Sequence, residues 1–208
     1  MKWQIGAVTV TKIVELEVTG GSRFLLPQAT YEAILPIDWL RPDFADERGR
    51  LKMSIHALVV ETRDRRIIVD TCLGNDKKLP IRRWANRKGP FLDDLAAAGF
   101  PRQTIDTVLC THLHMDHIGW NTMLVDGKWQ PAFPNARYLF GRKEYDHWQM
   151  LKRTGGYHDF THLADSIDPI TNAGLAQLAG LNNLQSLELS GTAINDDGLA
   201  HLAPPLPN

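Results

Sequence analysis

Between Ile5 and Val18 apolar residues fall at Val8, Val10, Ile13, Val14 and Leu16, largely the period of two that marks a strand with one buried face. His56–Glu61 and Arg66–Asp70 flank the polar Thr62-Arg63-Asp64-Arg65, which predicts a hairpin. Phe91–Ala98 reads as a helix, with Pro90 at its start, Gly99 placed to cap its end and Pro101 just beyond. Ile105–Cys110 is a nearly unbroken apolar run, which predicts a strand covered on both faces. Ala136–Phe140 reads as a further strand and Arg142–Leu151 as a helix. Strands and helices therefore alternate, and the expected fold class is mixed α/β.

Charge divides the chain unequally. All 23 Lys and Arg of the 208 residues lie at or before residue 160, together with 19 of the 24 acids. Residues 161–208 hold five acids, no base and no aromatic residue, so the front carries +4 and the tail −5. Two domains are expected, 1–160 and 161–208. Within the tail, Ile170–Ala179 and Ile194–Ala203 match at six of ten positions at an offset of 24, and Leu181, Leu184, Leu187 and Leu189 lie between them. This spacing resembles a leucine-rich repeat, whose period is about 20 to 29 residues. Such units bury their apolar face only by stacking. The tail is therefore expected to dock on the front, to self-associate, or to bind a protein partner.

No run approaches the ~18 apolar residues that cross a bilayer, and the start does not read as a signal peptide, so the expectation is a cytoplasmic chain without membrane contact. Cys72 and Cys110 lack the spacing of a thiolate metal site and read as buried thiols. Lys77, Lys78, Arg82, Arg83, Arg87 and Lys88 form a basic run around Trp84, read as a solvated loop; the small net charge of −1 argues against a nucleic-acid groove.

The chemistry concentrates at Thr111-His112-Leu113-His114-Met115-Asp116-His117, directly after the apolar strand. Residues two apart in an extended segment project to one side, so His112 and His114 can aim at one point. Asp116 and His117 join them only if the chain turns after His114. Four ligand-type side chains in six residues point to a divalent metal, with zinc favoured and iron, manganese or cobalt compatible with the same donors.

His112-x-His114-x-Asp116-His117 resembles the H-x-H-x-D-H signature of the metallo-β-lactamase superfamily. Ile67–Thr71, with Asp70, and Phe140-Gly141-Arg142-Lys143-Glu144-Tyr145 are also similar to segments of lactonase-like and organophosphate-hydrolase-like members. The resemblance covers about residues 5–160. It implies an αβ/βα sandwich, here its first half, with up to two Zn²⁺: His112 and His114 at one ion, Asp116 and His117 at the other. It further implies hydrolysis of a small-molecule ester, lactone, amide or phosphoester. Asp116 would carry the proton for the leaving group, and Asp70 would orient a ligand from behind. The third histidine, bridging carboxylate and final histidine of the family's second half have no counterpart in the expected setting. His158 and His162, four residues apart, are the candidates to substitute for them. The alternative expectation is an inactive fusion whose leucine-rich tail binds another protein.

Overall fold

A computed structural model describes residues 1–155 and 160–176; of the helical residues 172, 173, 175 and 176 only the backbone is described. The core of the fold is a six-stranded sheet in the order β1-β2-β3-β4-β5-β8. Its strands are β1 (Lys2–Ile5), β2 (Val8–Thr19), β3 (Lys52–Glu61), β4 (Arg66–Val69), β5 (Thr107–Cys110) and β8 (Arg137–Phe140). A separate antiparallel ribbon pairs β6 (Thr122–Val125) with β7 (Lys128–Pro131). The helices are α1 (Tyr31–Ile34), α2 (Phe91–Ala97), α3 (Arg142–Thr154), α4 (Thr161–Ser166) and α5 (Asp168–Ala176). The fold is mixed α/β.

The expected hairpin is present: β3 and β4 pair antiparallel, with Leu58 opposite Val69 and Glu61 opposite Arg66. β4 then pairs with β5, and β5 with β8, in parallel. Parallel neighbours need a crossover, and α2 supplies one between β4 and β5. Phe91 and Leu95 of α2 are buried, and Gly99 ends the helix at φ 96°. Buried apolar side chains from the strands, among them Val59, Ile68, Val108 and Cys110, belong to the core.

One expectation about this sheet fails. Leu109 is 39% exposed and its β8 neighbour Leu139 is 43% exposed, so β5 is buried on one face only. The continuous apolar run is that of a doubly covered strand, but only one of its faces has a partner among the described residues.

The chain forms two compact units, residues 1–13 with 57–208, and residues 14–56. In the second, Asp46 organises a tight turn. Its Oδ1 accepts from the backbone N–H groups of Arg48 and Arg50, and its Oδ2 pairs with the Arg50 guanidinium at 2.6 Å.

Residues after 160 join the first unit through a buried cation. Lys77, expected in a solvated basic run, is 1% exposed: its Nζ donates to Thr122 Oγ1 at 2.6 Å and to the Asp165 carbonyl at 3.1 Å. The same ammonium lies 3.4 Å from Asp165 Oδ1 and 3.6 Å above the centre of the Trp129 ring. Burial pulls the Lys77 ammonium down to about 8, although the Asp165 carboxylate opposes the shift. Leu163, Ile167 and Ile170 are buried alongside. The repeat-bearing stretch from 177 onward lies outside the described residues.

Candidate metal-facing loop

Two chain crossings fix the loop that follows β5. The first is where β4 ends: Asp70 N–H still donates to the Leu109 carbonyl, and Thr71 N–H turns to the His117 carbonyl at 2.7 Å. Gly119 N–H donates to the Cys72 carbonyl, and Trp120 N–H to that of Thr71. The backbones touch here. A β-carbon on Gly119 would stand 1.9 Å from the Leu73 carbonyl, so only glycine fits. The second crossing involves α3, whose Glu144 Oε1 accepts from the Leu113 N–H at 3.1 Å and from Trp148 Nε1 at 2.8 Å.

Between these anchors Leu113 is fully buried while His112 and His114 face outward on either side of it. Their rings meet edge to face with centroids 4.6 Å apart, and His112 Nε2 lies 3.0 Å from His114 Nδ1. His117 N–H donates to the His114 carbonyl, and this turn brings the His117 ring to a centroid distance of 4.0 Å from His112. Asp116 Oδ2 is 3.5 Å from His117 Nε2.

Asp70 stands behind this group, in the left-handed region at φ 56°. Its Oδ2 is 2.8 Å from His117 Nδ1, and Oδ1 accepts from the Thr111 N–H at 2.8 Å; the Thr111 hydroxyl donates to it as well. Burial opposes ionisation of Asp70, yet the bonds from His117 and Thr111 prevail and hold its carboxyl below the usual range. Burial lowers His117, but the Asp70 bond and the Asp116 charge outweigh it, so the imidazole is more basic than usual. His112 moves the other way, lowered by burial and by the neighbouring His117 and His114. Burial would raise Glu144, but the Leu113 and Trp148 donors hold it low.

Zinc fits this arrangement only in part. Two ligands of a tetrahedral zinc at about 2.0–2.1 Å are ~3.3 Å apart, close to the 3.0 Å between His112 Nε2 and His114 Nδ1. A catalytic zinc takes three protein ligands, however, and among the described residues no group of three His, Cys, Asp or Glu side chains is placed to hold an ion. The four side chains form two pairs. His162 is buried, with its ring 4.9 Å from Trp148, which also packs on His114 at 5.8 Å, but it completes no such group. His158 lies outside the described residues.

Sequence patterns for the metallo-beta-lactamase superfamily match residues 52–203, most of the chain. The chain belongs to that superfamily. A solved superfamily-like structure, the dizinc quorum-quenching lactonase AidC with a hydrolysed homoserine product, is 26% identical, with a TM-score of 0.54 over 72% of this chain and 47% of that one. The hydrolase AbOPH matches at 22% identity and TM-score 0.53, over 78% and 51% of the two chains. A probable metal-dependent hydrolase from Staphylococcus aureus matches at 21% and 0.53, over 77% and 56%. The last two likenesses concern the fold alone. This chain spans about half the length of each of these structures. A search of curated proteins finds no significant match.

Sequence reasoning passed over Thr111, Glu144 and Trp148, which hold the loop in place. Glu144 stands in the quoted Phe140–Tyr145 segment, but nothing in its local pattern tells that its carboxylate reaches a loop 31 residues earlier. Cys110 is read correctly as a buried thiol: burial pushes it up to about 12 despite its contact with Asn121, so it stays protonated.

Proposed function

We propose that this chain is a metal-dependent hydrolase of the superfamily that acts on a small ester, lactone, amide or phosphoester, with the loop Thr111–His117 facing the metal. The observation that carries it is the convergence of His112 Nε2 and His114 Nδ1 beside a His117 whose other nitrogen is held by Asp70. That bond fixes the His117 tautomer and turns Nε2 outward, as an orienting carboxylate does behind a metal-ligating histidine. His112 and His114 are assigned to one divalent cation and Asp116 with His117 to a second, zinc being favoured by the donor set. Because neither pair reaches three ligands, no reaction step is routed through the ions here. Asp116, partly open to solvent, is assigned the proton of the leaving group.

The test is direct. Purified protein is dialysed against zinc, its metal measured by atomic absorption, and a chromogenic lactone and a phosphotriester assayed beside His114→Ala. The proposal expects about one to two equivalents of zinc and turnover lost in the variant; less than about 0.2 equivalents sinks it.

A second reading rests on the repeat at an offset of 24: residues 161–208 form a leucine-rich-repeat-like tail that binds another protein, and the front is inactive. It gains ground if zinc is absent while a fragment-free, full-length chain still captures one defined protein partner through that tail.

A further inference from the structure

In the unit formed by residues 14–56, apolar side chains face solvent at a density that solubility alone does not explain. Phe24, Leu25, Leu26, Tyr31, Trp39 and Phe44 are each between 49% and 73% exposed. They are not on a loose loop. Leu25 and Leu26 N–H groups both donate to the Ser22 carbonyl, and Thr30 caps α1 by accepting from Ala33 N–H. Gly49, at φ 72°, packs so closely under α1 that a β-carbon there would meet the Tyr31 carbonyl at 2.8 Å and the Leu35 side chain at 3.0 Å. Phe44 N–H and Ala45 N–H both donate to the Leu40 carbonyl, and Arg41 bonds the Leu35 carbonyl and pairs with Asp38 at 2.8 Å. Trp39 and Phe44 meet edge to face at 6.1 Å. The frame is hydrogen-bonded and the aromatic groups are held outward, already in a binding geometry.

We propose that this face is the dimer interface between two copies of the chain. Its six large side chains offer on the order of 600 Å² of apolar surface. A standard interface takes ~800 Å² from each partner, an aromatic-rich apolar centre with a polar rim, so the patch supplies the centre of one. Charge selects the occupant. Residues 14–56 hold seven acids and five bases, a near-balance with both signs interspersed. An anionic membrane or a nucleic acid would call for a basic surround. A two-fold pairing instead sets each patch against its own copy, where Asp38, Asp43, Arg23 and Arg41 can meet charges of opposite sign across the rim.

Sedimentation equilibrium on the full chain tests this. The wild type is expected at twice 23.4 kDa at micromolar concentration, and Trp39→Glu combined with Phe24→Glu is expected to raise the dimer dissociation constant by at least about tenfold with an unchanged circular dichroism spectrum. Hydrogen exchange on the wild type needs no variant: amides of residues 22–45 are expected to lose protection on dilution. A wild type that is monomeric at about 100 µM overturns the proposal. So does a dimer that survives both substitutions in a folded variant, or dilution-independent exchange over residues 22–45. Binding to anionic vesicles by a monomer would assign the patch to a membrane and equally overturn it. None of these outcomes depends on whether the chain binds zinc.

Discussion

Asp70 ties the loop to the sheet through two partners, and its contribution depends on pH. Its carboxyl is held below the usual range, so its stabilisation is present above the unfolded carboxylate pKa and fades as pH falls through the folded one. His117 is raised, so its contribution is full below the unfolded imidazole pKa and fades as pH rises through the folded value. In metal-free protein, Asp70→Asn is therefore expected to cost most stability in mildly acid solution and less toward either extreme, read by urea denaturation across pH. An even cost from acid to alkaline pH would refute the pairing. Gly119→Ala is a different kind of test: the added carbon meets the Leu73 carbonyl, and the expected loss is about 3 kcal/mol or more, with failure to fold as the extreme. A neutral alanine would mean that the two backbones do not lie this close. The residue scale is also where sequence reasoning went furthest. His112 and His114 flank a buried Leu113 because alternate residues of extended chain point to opposite sides, a local rule that needs no tertiary information.

At the scale of elements, α3 holds the loop by one carboxylate. Glu144→Ala leaves the Leu113 N–H and the Trp148 indole without their acceptor, at a cost of about 1–3 kcal/mol, and lets the indole take a wetter environment. The expected signs are a lower urea midpoint and a red-shifted tryptophan emission, with Glu144→Gln intermediate because its amide oxygen still accepts. Helices α2 and α3 were legible because caps and apolar spacing are local signals. The β6–β7 ribbon was not read, although its Asp126-Gly127 turn, with φ of 49° and 77°, is a strong hairpin signature. Its strands are four residues each, too short for a two-residue period to stand out. The Leu109 face was misread for the opposite reason: apolarity says that a strand can be buried, and only its neighbours say whether it is.

Across the whole molecule, the principal long-range tie is Lys77, which joins residues of the basic run to β6, β7 and α4. Because burial lowers its pKa to about 8 from the usual lysine value, the unfolded chain holds a proton there that the folded chain has released between those limits. Stability of the wild type relative to Lys77→Met is therefore expected to rise with pH above about 8, by up to about 3 kcal/mol, as measured by denaturation in alkaline buffers. A flat difference would place the ammonium in water. The sequence by itself determined the alternation of strand and helix, the order of the ligand-type side chains and their place at a strand's end, since each follows from neighbours along the chain. Only the tertiary structure decided that Asp70 and Glu144 grip the loop from 47 and 31 residues away, that Lys77 is buried, and that the imidazoles fall into pairs. Those outcomes depend on which distant groups compete for the same space and the same hydrogen bonds, and no local pattern contains that information.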